Sequence, residues 1–283
     1  MRKLQLKVTI NKNSGFCFGV VEAIKKAEET LKKGEELFCL GQIVHNEAEI
    51  RRLEKKGMKT IYHDDFKNLK GATVLFRAHG EPPESYDIVK KNNIHLIDAS
   101  CPIVTTLQRK VKQAYDNGES IYIFGKHHHP EVIGLIGQTN NSAVVFQSIE
   151  ELDLDNLPHE ITMFSQTTRD KNEYNKIVRL IQQTGTKIKL HNSICGEVAN
   201  RQPEIKEFCK QFDKVIFIAG AKSSNGKVLY NVCKQSNKNT FFISDVSEIK
   251  NTWFLPNETV GVCGATSTPQ WLMERTKERL LEL

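Results

Sequence analysis

Three cysteines stand where the chain turns from a strand towards a helix: Cys17 in Ser14-Gly-Phe-Cys17-Phe-Gly-Val, Cys101 in Asp98-Ala-Ser-Cys101-Pro102, and Cys195 in Asn192-Ser-Ile-Cys195-Gly-Glu. At a helix's first turn, unpaired backbone N–H groups and the positive end of the dipole favour a thiolate, the form that binds metal or attacks an electrophile. Separations of 84 and 94 residues are too long for a local metal clip and suit one unit of a repeated architecture. The chain therefore offers three thiolates, one per third.

Four further cysteines make an odd total of seven, and the start, Met1-Arg-Lys-Leu-Gln-Leu-Lys-Val8, alternates like a strand and lacks a signal peptide's apolar core. Both features argue against a disulfide framework. Cys39 and Cys263 lie in strand-like runs, Cys209 and Cys233 in helical ones, and each reads as a small buried hydrophobe.

Polar groups recur at fixed distances from the three turn cysteines. Cys17 to His45, Cys101 to His129 and Cys195 to Ser223 are each 28 residues apart. A second group follows in each third, His79, Thr167 and Ser267, at 62, 66 and 72 residues from its cysteine. Each of the six follows an apolar run of strand type, such as Leu37-Phe-Cys-Leu40 before His45 or Thr259-Val-Gly-Val-Cys263 before Ser267. Ligands in parallel sheets bind beyond the carboxyl ends of the strands, so three such units would gather around one central site.

Three cysteines with no fourth of the same kind, and no short CxxC spacing, disfavour a structural zinc. A 4Fe-4S cluster on three thiolates leaves one iron free to act on substrate oxygen. His45, His79 and His129 can carry protons beside an anion, and Ser223, Ser224, Asn225 and Ser267 add neutral donors, a set matching a phosphate or diphosphate better than a carboxylate. Glu131 lies two residues beyond His129, on a turn stiffened by Pro130. In a water-poor pocket its pKa would rise and make it a proton donor, with Thr167 as relay. His127 and His128 lack the matched spacing and read as solvated or supporting groups.

The elements that must position these groups alternate strand and helix throughout, which indicates an α/β protein with largely parallel sheets. The reading places helices over Val21–Lys32 and Val104–Tyr115, one with Glu49, Arg51 and Arg52 on its wet face, and an acidic helix near Glu150. With 283 residues and an ordinary apolar fraction of 39%, the chain can bury a substantial core. Three units are expected: 17–100, 101–194, and 195–283 with 1–16. A formal net charge of +6 is spread over helices without interleaved aromatics, which speaks against nucleic-acid binding and suits a small anionic substrate. No run is long enough to span a membrane, so a cytoplasmic protein is expected, with a monomer as the default state.

Taken together, Gly15-Phe-Cys17-Phe-Gly-Val, Val44-His45-Asn46, Ala78-His79-Gly80, Asp98-Ala-Ser-Cys101-Pro, His129-Pro-Glu131-Val-Ile-Gly, Gln166-Thr167-Thr168, Asn200-Arg201-Gln202, Ser223-Ser224-Asn225 and Gly264-Ala-Thr-Ser267-Thr-Pro269 resemble the 4-hydroxy-3-methylbut-2-enyl diphosphate reductase family. The likeness covers nearly the whole chain in the family's order. It implies three similar α/β units in a pseudo-threefold trefoil around a central 4Fe-4S site held by Cys17, Cys101 and Cys195. It also implies that His45, His79, His129, Ser223, Ser224, Asn225 and Ser267 hold the diphosphate, that Glu131 donates the proton, and that Thr167 sits beside the substrate hydroxyl.

The implied reaction is a two-electron reductive dehydroxylation of an allylic diphosphate, giving isopentenyl and dimethylallyl diphosphates at the end of the non-mevalonate pathway, with ferredoxin or flavodoxin as donor. One departure stands out: after Cys195 the chain reads Gly196-Glu197-Val198-Ala199, where family members commonly carry an Ala-Thr pair. From the residues alone, a metal-dependent phosphohydrolase and an iron–sulfur electron carrier or sensor remain as alternatives.

Overall fold

A computed structural model describes residues 3–283. In chain order, β1 (Lys7–Ile10) and α1 (Phe18–Lys32) precede β2 (Leu37–Leu40), α2 (Glu47–Glu54), β3 (Met58–Ile61), α3 (His63–Phe66), β4 (Thr73–Phe76), α4 (Pro83–Lys91) and β5 (His95–Asp98). The middle of the chain forms α5 (Pro102–Asp116), β6 (Ile121–Phe124), α6 (Pro130–Gly137), β7 (Val144–Phe146), β8 (Glu160–Ser165), α7 (Lys171–Gln182) and β9 (Lys187–Leu190). The last third forms α8 (Gly196–Cys209), β10 (Lys214–Ile218), α9 (Ser224–Ser236), β11 (Thr240–Ile243), β12 (Thr259–Gly264) and α10 (Gln270–Glu282).

The strands make three sheets of four, ordered β3-β2-β4-β5, β7-β6-β8-β9 and β1-β12-β10-β11. Every pairing among the described residues is parallel, so each connection must cross over through a helix or a long loop. The central strands are apolar on both faces, as helix-covered parallel sheets require: Ile121-Tyr-Ile-Phe124 is buried at all four positions. Each sheet draws its strands from one third of the chain, except that β1 joins the last third's sheet by pairing with β12.

By compactness the chain divides into two units. One holds residues 1–21, 42–57 and 196–283; the other holds 22–41 and 58–195. In the first, Ile216, Ile218, Val260, Val262, Leu272 and Met273 form one side of the core, and Phe217, Leu229 and three cysteines form the other. In the second, Leu40, Phe66, Val74 and Phe76 pack under one sheet, and Val111, Ile123, Leu135 and Phe164 under the next.

Several details differ from the sequence reading. The acidic segment near Glu150 is a short 3-10 turn, Ile149–Glu151, because three residues before Leu152 cannot complete an α-turn. Strands β3, β9 and β11 were not expected; in β3 and β9 exposed lysines, Lys59, Lys187 and Lys189, interrupt the apolar run. Glu49 is not on a wet face: it is fully buried, accepting from Trp271 Nε1–H at 2.7 Å and from Arg52 Nε–H at 2.8 Å. A partnered carboxylate can be buried where an isolated one cannot.

Candidate active site

The chemistry-bearing residues sit at helix N-termini, just past the carboxyl ends of parallel strands. Cys101 is the N-cap of α5 and His129 the N-cap of α6, each followed by a proline at the first helical position. Proline's fixed φ and missing N–H suit that position, so both caps are built in by sequence. Cys17 and Cys195 immediately precede α1 and α8, and Ser223 caps α9.

The three turn cysteines share one backbone contact. Cys17 N–H donates to the Thr266 carbonyl at 3.1 Å, Cys101 N–H to the Ala78 carbonyl at 3.1 Å, and Cys195 N–H to the Thr167 carbonyl at 2.9 Å. Thr266 precedes Ser267, Ala78 precedes His79, and Thr167 is itself a predicted group. Each cysteine is thus fastened at, or one residue before, the second polar group of the third that precedes it, with Cys17 taking that of the last third. All three are half-buried and outside any disulfide, whereas Cys39, Cys209, Cys233 and Cys263 are fully buried, as their apolar settings predicted.

In the unit containing residues 196–283, the start of α9 is an anion-shaped corner. Ser223 Oγ accepts from Gly226 N–H at 3.0 Å and from Ser267 Oγ–H at 3.2 Å, and Asn225 Nδ2–H donates to Thr266 Oγ1 at 2.8 Å. Ser223, Ser224, Asn225 and Ser267 are all at most 7% exposed. The Ser224 hydroxyl is buried with no hydrogen-bond partner among the described residues. A buried orphan donor at a helix N-terminus is costly unless an anion completes it. His45 lies in the same unit, where Gly220 lets the chain pass: a Cβ there would meet the His45 carbonyl oxygen at 2.1 Å. Asn46 then caps α2, accepting from Glu49 N–H at 3.1 Å.

In the unit containing residues 58–195, His79 and His129 pack edge to face with ring centroids 5.3 Å apart. His129 Nδ1 accepts from Glu131 N–H at 3.2 Å, which fixes the neutral ring's proton on Nε2. Glu131 is 2% exposed; Thr167 gives it two hydrogen bonds, backbone N–H to Oε1 at 2.6 Å and Oγ1–H to Oε2 at 2.8 Å. Burial raises the Glu131 carboxyl to about 7 despite both bonds, so it keeps its proton to higher pH than an ordinary carboxyl does.

The sequence reading missed the residues that hold these loops in place. Gln108 of α5 donates to the Glu81 carbonyl at 3.2 Å, and its amide fills the space over Gly80 and Gly134, linking the His79 loop to the helix that starts at His129. The Arg77 guanidinium lies against Gly41, where any Cβ would collide with it. Ser193 Oγ accepts from Ser165 N–H at 2.6 Å and anchors the approach to Cys195. Only glycines at Gly41, Gly80 and Gly134 hinted at these contacts. His127 pairs with Glu151 at 2.8 Å on the surface, in keeping with a solvated role.

Comparison with known proteins agrees with this arrangement. A family model described as LytB protein matches residues 8–281. The chain belongs to the LytB family. The 4-hydroxy-3-methylbut-2-enyl diphosphate reductase of Parabacteroides distasonis is 48% identical over 98% of both chains, and that of Bacteroides thetaiotaomicron is 46% identical over 97% of this chain and 98% of the relative.

Two solved structures share the LytB fold with it. One, of (E)-4-hydroxy-3-methyl-but-2-enyl diphosphate reductase, the terminal enzyme of the non-mevalonate pathway, has a TM-score of 0.73 at 33% identity, covering 98% of this chain and 100% of that one. The other, the Plasmodium falciparum E-1-hydroxy-2-methyl-but-2-enyl-4-diphosphate reductase, has a TM-score of 0.84 at 28% identity, covering 97% and 87%. The LytB family consists of iron–sulfur reductases. No helix among the described residues is long and apolar enough to cross a membrane.

Proposed function

We propose that this chain carries out the reaction named for its relatives, removing the hydroxyl of 4-hydroxy-3-methylbut-2-enyl diphosphate as water, with two electrons and two protons, to give isopentenyl and dimethylallyl diphosphates. Cys17, Cys101 and Cys195 would hold a 4Fe-4S cluster. The thrice-repeated hydrogen bond from a cysteine N–H to a strand end carries this reading. It gives three thiols the same helix-start setting, one suited to thiolates, and ties each to a strand end that bears a residue of the binding set. When bound, such a cluster supplies electrons and one open iron as a Lewis acid. The three sheets would correspond to three units, 17–100, 101–194 and 195–283 with 1–16, in a trefoil about that centre.

The remaining work falls to the chain's own groups. The N-terminus of α9, with Ser223, Ser224, Asn225 and Ser267, binds the diphosphate through the helix dipole and the orphan Ser224 hydroxyl. His45, His79 and His129 complete the clamp, with the His129 ring placed by its Nδ1 contact to Glu131 N–H. Glu131 delivers a proton from its carboxyl as the substrate hydroxyl leaves, and the Thr167 hydroxyl can turn from donating to accepting so that the proton is relayed. Electrons would come from ferredoxin or flavodoxin, and the protein would act as a cytoplasmic monomer.

Anaerobic purification followed by a visible spectrum and iron assay tests the reading. A brown protein with broad absorption and activity on the allylic diphosphate is expected. A protein that stays colourless after careful reconstitution would overturn it, as would one that releases inorganic phosphate instead.

A further inference from the structure

The other cysteines also form a group. Cys209, Cys233 and Cys263 come from the last residue of α8, the last turn of α9 and β12, and their sulfurs all lie within 4.8 Å of one another, Cys233 and Cys263 at 3.9 Å. Three sulfurs bound to one centre at about 2.3 Å lie about 4.0 Å apart when planar and closer when pyramidal, so small rotations would close the set. The backbones bearing them are held: the Asn237 side chain donates to the Cys209 carbonyl at 3.1 Å, and Asn237 N–H donates to the Cys233 carbonyl at 2.8 Å.

The surroundings select the occupant. The cluster is lined by Ile205, Val215, Phe217, Ala219, Leu229 and Ala265, and all three cysteines are fully buried. Among the described residues no fourth sulfur, nitrogen or carboxylate joins the group, as a structural zinc would require. Two of the three thiols stand at helix C-termini, where the dipole opposes negative charge. A monovalent or divalent ion on three thiolates would leave a net negative charge in this apolar pocket, at a large desolvation cost. A trivalent centre leaves none.

We propose that Cys209, Cys233 and Cys263 form a second site, separate from the turn cysteines, that takes trivalent arsenic or antimony as a neutral three-coordinate thiolate. The step is a condensation without redox change: arsenous acid, As(OH)3, and three cysteine thiols give As(S-Cys)3 and three waters. Each S–H loses its proton to a departing hydroxide as an As–S bond replaces an As–O bond.

The test is titration of the anaerobic full-length protein with arsenite, read by native mass spectrometry and by sulfur-to-arsenic absorption in the ultraviolet. One arsenic per chain with loss of three hydrogens is expected, and the visible spectrum should be unchanged. The same uptake should persist when Cys17, Cys101 and Cys195 are all replaced by serine. It should weaken at least tenfold in Cys263→Ala and in Cys233→Ala, with thermal melts showing which variant is folded. Absent uptake after prolonged equilibration, uptake retained by both alanine variants, uptake lost with the turn cysteines, or zinc displacing arsenic at equal concentration would each overturn the proposal.

Discussion

Helix α8 starts one residue after Cys195 and ends on Cys209, so one cysteine from each set of three stands at opposite ends of the same dipole. Cys17, Cys101 and Cys195 are half-buried at helix starts, where backbone N–H groups favour a thiolate. Cys209, Cys233 and Cys263 are fully buried, two of them at helix ends, and burial pushes the Cys263 thiol well above its ordinary range. The same side chain is thus set up for ionic metal chemistry in one place and as a neutral apolar filler in the other. Whether the cysteine stands at a half-buried helix start or inside the apolar core, more than the number of sulfurs close together, decides which.

The largest effect follows directly. Cys101→Ser should reduce bound iron and turnover to background, while Cys263→Ala should leave both within about twofold, because its sulfur lies among core side chains. Iron assay and visible absorption of the two variants, prepared side by side, check this. If Cys263→Ala loses iron, the roles assigned to the two sets are wrong.

Next in size is the proton donor of the turn-cysteine side. Glu131→Gln keeps one acceptor for the Thr167 N–H and one donor for its hydroxyl, so the fold should hold while turnover falls by about 10²- to 10⁴-fold. The pH dependence has a definite sign. The carboxyl's folded value, about 7, lies above its ordinary 4.5, so the stability linked to its protonation is complete below pH about 4.5 and is lost as pH rises through 7. The loss is about 3 kcal/mol by pH 9, and the glutamine variant should escape it. Melting curves of both proteins between pH 5 and 9 should therefore converge at the acid end and separate at the alkaline end. Wild-type turnover should fall above pH 7 as the proton is lost.

Much of this contrast was legible in the sequence, for a reason visible in the caps. Glycine and proline at Gly15, Pro102 and Pro130 mark where helices start, so Cys17, Cys101 and His129 announce themselves as cap or pre-cap residues. Equal spacing to His45, His129 and Ser223 then exposed the repeat. The inner set was read correctly as buried, residue by residue, but not as a group, because helix and strand periods carry no information about which core positions meet across a sheet. Glu49 was misjudged for the same reason: its partner Trp271 lies far along the chain. Gln108 left no signal of its own.

A smaller effect concerns the anion corner. Ser224→Ala removes a buried hydroxyl that has no partner among the described residues, so the folded state should lose nothing and even gain slightly. A hydrogen bond to a charged group contributes about 1.5 to 3 kcal/mol, so KM for the diphosphate substrate should rise about 10- to 100-fold with little change in kcat. A lower kcat with unchanged KM would move Ser224 from binding to chemistry.

The smallest effect separates the two sets by stability alone. Serine is close to cysteine in size but brings a hydroxyl that needs a partner, so its cost depends on whether water can supply one. In Cys263→Ser the hydroxyl enters a pocket lined by Val215, Phe217 and Leu229, and a loss of about 2 kcal/mol is expected, larger than that of Cys263→Ala. Cys101→Ser, half-exposed at a helix N-cap where a hydroxyl is favoured, should change the stability of the iron-free protein by less than about 0.5 kcal/mol. Denaturant melts of the iron-free proteins measure both. Serine would then disable the outer set chemically without loosening the fold, and loosen the inner set without touching the chemistry.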